Sequence, residues 1–340
     1  MKAVVIRNQG RGVDAWKLVE RPDPQPGPNQ VLVRVRAASL NYRDLMISHG
    51  VYGGPLKDDV VPLADGAGEI AAVGADVTGW KPGDRVCGAY FPTWQSGPMR
   101  AQYFDRQLGA VSNDGTLAEY AVLEATGVVP MPAHLSFEEA ATLPCAAVTA
   151  WNALFGSPAP AQPGATLLVL GTGGVSIIAA QLAIAAGLRV IGTSSSRAKG
   201  DRLKKLGVSD VIDYREKPDW HEEVLRLTGG EGVDHVIEIG GAGTLERSLQ
   251  AVKFGGTVSL IGFLTGVAGR IDPLPILFRA ARVEGIIVGS VPSFATMSRA
   301  LETLAIKPVV DEVFPLDRAP AALARLEAGT HFGKLVVRVA

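Results

Sequence analysis

The sequence predicts an α/β protein, a β-rich N-terminal domain followed by a doubly wound parallel six-stranded sheet. Three observations carry that expectation. From Met1 to about Gly127, short β-like runs ("KAVVIR", "QVLVRVRAASL", "AGEIAAVG", "DRVCGAY") are punctuated by turn-rich segments such as "PDPQPGPNQ" and "GWKPGD". From about Ala165 the rhythm changes to six apolar runs, "TLLVLG", "LRVIGTS", "VSDVIDY", "VDHVIEIG", "GTVSLIGF" and "VEGIIVGS". They alternate with helical segments such as "SRAKGDRLKKLG" and "PDWHEEVLRLTGG", the pattern of βα units in a parallel sheet. After a helix expected around Ser293–Leu304, the tail from "VVDEVFPL" to "GKLVVRVA" returns to a β-like texture and is expected to fold back onto the first domain. The expected division is residues 1–126, 127–307 and 308–340.

Composition excludes several classes of function. Apolar residues make up 47% of the chain and charged residues 20%, so it can bury a large core, and its formal net charge of −1 provides no basic field for nucleic acid or an anionic membrane. Neither partner is expected. The most apolar stretch, Thr166 to Thr193, is interrupted by Gly171, Gly173, Gly174, Gln181, Gly187 and Arg189, and so is not an unbroken bilayer span. Two cysteines, Cys87 and Cys145, and a start that runs from Met1 directly into a strand pattern lead to the expectation of a cytoplasmic protein.

The strongest chemical motif begins at Leu167, "LLVLGTGGVSIIAAQLAIAAGLRVIGTSSSRAK". A buried strand ends at Leu170, the loop Gly171, Thr172, Gly173, Gly174 follows, and an apolar helix opens near Val175. Such a loop lets a pyrophosphate approach the backbone, and the helix start offers unpaired N–H donors. Ser176 stands where the last glycine of this fingerprint usually falls. An NAD site would place Asp or Glu at the end of the second strand; here that place holds Thr193, Ser194, Ser195, Ser196, Arg197 and Lys199. Hydroxyls and cations without a carboxylate suit a 2′-phosphate, which selects NADPH (NADP+) as the expected cofactor. The alternative is that the serines cap the next helix and the cations are solvated.

With these motifs in view, the whole chain resembles the medium-chain dehydrogenase/reductase superfamily. The segments "LADGAGEIAAVGADVTGWKPGDRV", "GTLAEYAVLEATGVVPMPAHLSFEEAATLPCAAVTAWNALF" and "HFGKLVVRV" carry the resemblance together with the glycine-rich stretch. It implies a GroES-like catalytic domain, a Rossmann domain and a C-terminal return. Zinc alcohol dehydrogenases of this superfamily carry a Cys-His pair before the aspartate that matches Asp44; here those places hold Asn41 and Tyr42. Their Gly-His-Glu triplet corresponds to Leu63, Ala64 and Asp65. Of the matching ligands only Cys145 remains, and the segment matching the structural-zinc lobe, about Tyr90 to Asn113, has no cysteine. A catalytic zinc needs three protein ligands, so no metal is expected. Core packing is the alternative reading of Cys145.

The stretch "LNYRDLMISHGVY" is similar to the quinone oxidoreductase branch, in which an asparagine, an aspartate and a tyrosine matching Asn41, Asp44 and Tyr52 recur near the nicotinamide. The resemblance implies that Asn41 and Tyr52 donate to a carbonyl oxygen and that Asp44 orients a neighbour. Asn41 as a turn residue and Tyr52 as a core aromatic are the plainer alternatives. Arg43 stands where the zinc enzymes carry a proton-relay hydroxyl. The resemblance also places Thr149, Gly262, Phe263, Val288 and Gly289 on the nicotinamide side, Tyr214 near the adenosine phosphate end, and Phe332 and Lys334 where the return segment closes the site. It implies a homodimer through "RVEGIIVGS".

A Lewis-acid zinc contributes several kcal/mol to carbonyl polarisation, and a tenfold rate is worth about 1.4 kcal/mol. Without it, a ready hydride acceptor is the expected substrate, a quinone or α,β-unsaturated carbonyl reduced by NADPH, with water or Tyr52 as proton source. The alternatives are an alcohol or aldehyde dehydrogenase of the zinc type and a non-catalytic NADPH-binding redox sensor.

Overall fold

Two units divide the chain in the computed structural model, which describes residues 1–52, 54, 56–111 and 113–340. The first comprises Met1–Val148 and Gly289–Ala340, the second Thr149–Val288. These boundaries differ from the expected 126/127 and 307/308, and the reason is pairing between segments distant in sequence. Val128–Pro130 is a strand of the first unit's sheet, laid antiparallel against Arg85–Gly88. The helix Val291–Thr303 starts with the Val291 N–H donating to the Trp94 carbonyl at 2.9 Å, and the Ile306 carbonyl lies 3.0 Å from His134 Nε2. The rhythm of strand and helix changes near Ala165, but hydrogen bonding is what sets the border.

In the first unit a seven-stranded sheet runs in the order Val310–Pro315, Lys334–Arg338, Gln30–Ser39, Asp65–Val73, Arg85–Gly88 and Val128–Pro130, with Tyr120–Glu124 also paired to Gln30–Ser39. The C-terminal return therefore joins this sheet, as its texture predicts. Strand register builds the site. Ser39, near the end of the central strand, lies opposite Val336 on one side and Asp65 on the other. The chain then leaves the strand through Leu40 and Asn41 into the helix Tyr42–Ser48, so Asn41 emerges between the strands that carry Asp65 and Lys334.

The second unit is a six-stranded, wholly parallel sheet, ordered Asp210–Asp213, Arg189–Ser194, Thr166–Val169, Val233–Glu238, Val252–Leu260 and Arg282–Gly285. Numbered within the unit this is 3-2-1-4-5-6, the Rossmann order, and the topological switch lies between Thr166–Val169 and Val233–Glu238. Its inner strands Thr166–Val169, Arg189–Ser194 and Val233–Glu238 are buried almost throughout because both faces are covered. Leu168, Ile191, Ile212, Val236 and Val258 are buried with Trp220 and Val224 of one helix and Leu245 and Leu249 of another. Among the described residues no helix is long and apolar enough to cross a membrane.

Candidate functional site

The second unit's part begins where the strand Thr166–Val169 gives way to Gly171. This residue has φ +69°, a left-handed conformation that favours glycine. A Cβ added at Gly173 would meet nothing within 4 Å, so the backbone there is open to close approach. The helix Gly174–Ala185 that follows has no side-chain cap, which leaves its first N–H groups without intrahelical acceptors. Gly171 N–H is held by Thr193 Oγ1 at 2.9 Å. Ser176 is buried, and its hydroxyl donates to the Leu170 carbonyl at 2.7 Å. A serine is thus accommodated where glycine is usual, because its side chain folds back onto the strand end. Gly171, Thr172, Gly173, Gly174 and Val175 together fit a pyrophosphate.

At the end of Arg189–Ser194 the serines divide their work. Ser196 caps the helix Arg197–Lys205, accepting from Lys199 N–H at 3.4 Å, and Ser194 is buried and donates to the Ser196 carbonyl at 2.8 Å. The helix-cap alternative therefore describes Ser196, while Ser195 and Arg197 keep open surface. The half-exposed Tyr214 stands beside them, its N–H bonded to the Ser194 carbonyl at 3.0 Å.

At the carboxyl edge of the sheet, Gly262 lies so close to the end of Val233–Glu238 that a Cβ would come within 2.6 Å of the Ile239 carbonyl. Phe263 follows on the same loop, half-buried. Thr149 is buried at the start of this unit, and Val288, at its end, has φ +48° with its carbonyl held by Asn152 Nδ2 at 2.9 Å. Sequence reasoning missed Glu238. Its buried carboxylate accepts from Gly240 N–H at 2.7 Å, Gly241 N–H at 3.0 Å and the Thr244 hydroxyl at 2.6 Å, with Ser248 donating to the other oxygen.

The first unit holds the other predicted residues, and Gly289, Phe332 and Lys334 fall within it. Phe332 is buried there. Lys334 does not stand free as a closing residue: its buried ammonium donates to the Leu40 carbonyl and to Asn41 Oδ1, each at 2.6 Å, and lies 3.4 Å from Asp65 Oδ2. Burial without a counter-charge would be costly, and Asp65 supplies that charge. Asn41 Nδ2 donates to the same Asp65 oxygen at 2.9 Å, and Asn41 N–H to Asp44 Oδ2 at 2.8 Å. Asn41 is thus both helix cap and part of a charged cluster.

Asp44 is buried, and burial pushes its carboxyl up to about 6 against the opposing pull of Arg43. Burial likewise raises Asp65, opposed by Lys334, and raises the Cys145 thiol to about 12. A thiol raised that far stays protonated at neutral pH, which favours the packing reading of Cys145. Arg43 donates to Gln107 Oε1 at 3.2 Å and to the Leu108 carbonyl at 2.5 Å, with its guanidinium carbon 4.6 Å from the Tyr90 ring centroid and 5.9 Å from that of Tyr52. The hydroxyls of Tyr52 and Tyr90 both lie 3.4 Å from Gln107 Oε1. Gln107 is thus a shared acceptor, one weak polar signal in the aromatic lobe "FPTWQSGPMRAQYFDRQLG". That lobe packs as a core of Tyr90, Phe91, Trp94, Tyr103 and Phe104. Ser112, just beyond that stretch, lies outside the described residues.

Comparison with known proteins defines the class. Residues 27–133 match the model of the alcohol dehydrogenase GroES-like domain, and residues 174–305 that of the zinc-binding dehydrogenase. A zinc-type alcohol dehydrogenase-like protein of Schizosaccharomyces pombe is 44% identical, with 98% of each chain covered. The crystal structure of a putative alcohol dehydrogenase from Sinorhizobium meliloti 1021 superposes with a TM-score of 0.93 at 38% identity, covering 99% of this chain and 98% of that one. A mycobacterial quinone oxidoreductase superposes with a TM-score of 0.81 at 28% identity over the whole of both chains. The chain belongs to the medium-chain dehydrogenase/reductase superfamily and is an NAD(P)-dependent oxidoreductase.

The second family description raises the question of zinc, and the residues present do not fit that ion. Ala64 has no donor atom, the Asn41 amide is bonded at both ends, and a lysine ammonium sits among the would-be ligands. Among the described residues no group of three or more His, Cys, Asp or Glu is disposed to hold a metal.

Proposed function

We propose that the protein is a zinc-independent, NADPH-dependent reductase of quinones or α,β-unsaturated carbonyl compounds. The observation that carries this reading is the Lys334–Asn41–Asp65 cluster, which puts an ammonium where a metal-dependent relative needs ligands. NADPH, when bound, supplies the hydride from C4 of its nicotinamide. Gly171, Thr172, Gly173, Gly174 and Val175 cradle the pyrophosphate. Ser195, Arg197, Lys199 and Tyr214 receive the adenosine 2′-phosphate end, with Ser194 supporting their loop. Thr149, Gly262, Phe263 and Val288 border the nicotinamide.

In the first unit Asn41 and Tyr52 donate to the acceptor's oxygen as negative charge develops on it. Preorganised donors of this kind are worth about 2.7–4 kcal/mol each in well-studied enzymes, enough for an acceptor that is already electron-poor. Asp44 holds Asn41 through its backbone. Tyr52 or water delivers the proton, and Gln107 holds the phenol between turnovers. A homodimer is part of the proposal, supported by the apolar surface around the edge strand Arg282–Gly285.

Alcohol oxidation is a second reading, favoured by the 44% identity to the zinc-type alcohol dehydrogenase-like relative. The deciding experiment is NADPH oxidation by EDTA-treated protein with phenanthrenequinone as acceptor, run beside NADH. Turnover that survives chelation and prefers NADPH is expected. Activity on alcohols alone, restored by added zinc, would overturn the proposal.

A further inference from the structure

The buried ammonium of Lys334 has three partners, the Leu40 carbonyl, Asn41 Oδ1 and Asp65 Oδ2, and together with Asp65 it fixes the Asn41 amide. Nζ donates to Asn41 Oδ1 at 2.6 Å, and Asp65 Oδ2 accepts from Asn41 Nδ2 at 2.9 Å while lying 3.4 Å from Nζ. An amide oxygen cannot donate and an amide nitrogen cannot usefully accept, so these two bonds together permit one orientation of the Asn41 amide. A flipped amide would turn N–H hydrogens toward an ammonium and a carbonyl oxygen toward a carboxylate. Both contacts would then be repulsive, in a buried setting where such errors are costly.

One Asn41 amide hydrogen is committed to Asp65; the second belongs to a half-buried side chain. We propose that Lys334 is a positioning residue: by locking the Asn41 amide it presents that second N–H to the acceptor's oxygen and polarises it. This rests on the role given to Asn41 above. The polarisation has a simple origin. A cation on the amide oxygen draws electron density from the nitrogen, and hydrogen bonds in series strengthen one another by about a tenth to a third per bond. Lys334 thus delivers part of a positive charge to the reacting oxygen through a neutral side chain. The Asp65 carboxylate balances the ammonium in the resting protein.

The test is a double-mutant cycle with phenanthrenequinone as acceptor. Lys334→Met in the wild-type background is expected to lower kcat by about 10-fold or more, the scale of a weakened oxyanion donor. In an Asn41→Ala background the same substitution is expected to change kcat by less than about 2-fold, because coupled residues are non-additive. NADPH affinity, read by fluorescence titration of the binary complex, is expected to stay unchanged in Lys334→Met. Lys334→Arg, which keeps the cation and its donors, is expected to recover part of the lost rate.

Equal losses in both backgrounds, or a weaker binary complex with NADPH, would overturn the proposal, the latter assigning Lys334 to the cofactor. An Asn41→Ala variant with unchanged kcat would instead remove Asn41 as a donor, and this inference with it. Lys334→Met leaves Asp65 buried without its counter-ion. If that variant fails to fold, Asp65→Asn/Lys334→Met replaces it, with Asp65→Asn as reference. Asn at 65 retains an acceptor for Asn41 Nδ2, and the same comparison applies.

Discussion

Arg43 and Asp44, neighbours along the chain, also face each other across space: Arg43 Nε lies 3.4 Å from Asp44 Oδ1, with both side chains buried. The contact is an ion pair, and among the described residues neither atom has a hydrogen-bond partner. The guanidinium instead ties the helix Tyr42–Ser48 to the aromatic lobe through Gln107 and Leu108. Arg43→Met would leave the Leu108 carbonyl unpaired and Asp44 without its nearest cation. The expected loss is about 3 kcal/mol of unfolding free energy, read by denaturant titration at neutral pH. That loss should shrink below pH 6, where Asp44 is increasingly protonated and no longer needs the cation. A loss independent of pH would show that the lobe contacts alone account for it.

Asp44 itself gives a pH dependence of defined sign. Its carboxyl is raised to about 6 in the folded protein, so folding favours the protonated form. This contribution is complete below the ordinary carboxylate range and is lost as pH climbs through about 6, by at most about 3 kcal/mol at about 1.4 kcal/mol per unit. Carboxylates held low, such as Glu223 beside Arg226, act in the opposite sense, so the informative quantity is a difference. The stability of D44N relative to the wild type is expected to rise between pH 4 and pH 7, whatever constant offset the altered pairing with Arg43 adds. A flat difference across that range would mean that burial does not control this carboxyl.

Much of the architecture was legible because it follows from local pattern. The parallel strands of the second unit announce themselves as apolar runs, and "GTGG" reads as a tight turn before a helix whatever surrounds it. The capping box of Asn41 and Asp44 is equally local, although the sequence alone reads Asn41 as a donor or a turn residue and not as a cap. The Lys334–Asn41 bond was not legible: 293 residues separate its partners, and only the pairing of the C-terminal strand beside Gln30–Ser39 brings them together. Gln107 escaped for a similar reason, since a single amide among aromatics carries no periodic signal. The unit borders differ from the expected domain limits because texture changes where strands and helices begin to alternate, whereas compactness follows hydrogen bonds made far along the chain.

Glu238 is expected to govern the carboxyl edge of the second unit. Four donors converge on its carboxylate, from Gly240, Gly241, Thr244 and Ser248. Glu238→Leu would strand all four in a buried setting, costing about 3 kcal/mol or more. Gly241 has φ +83° and packs so closely on the neighbouring loop that a Cβ would come within 2.7 Å of Phe263 Cα. Loosening residues 240–244 should therefore disturb the loop that carries Gly262 and Phe263. The expected result is faster proteolysis in this segment and weaker NADPH binding. Glu238→Gln, which keeps acceptor capacity on one oxygen, should fall between the two. Wild-type affinity in Glu238→Leu would separate this carboxylate from the cofactor seat.

Among the described residues the edge strand Arg282–Gly285 pairs on one side only, with Val252–Leu260. Around it Leu274, Leu277, Phe278, Val283 and Ile287 are exposed, Leu277 and Phe278 to about 70%. An edge strand left open beside an exposed apolar patch is a template for further association, and such patches mark interaction surfaces. A second copy of this chain is the natural cover, because a two-fold axis beside the strand satisfies both copies with the same surface. Mixed-sign charge at Arg282 and Glu284 suits an antiparallel approach of identical strands. Light scattering should therefore give twice the 35.6 kDa of one chain. Val283→Lys and Leu277→Glu together should yield a monomer, since each places an unpaired charge in the apolar contact. A wild-type chain that scatters as a monomer at micromolar concentration would remove the second copy from this surface.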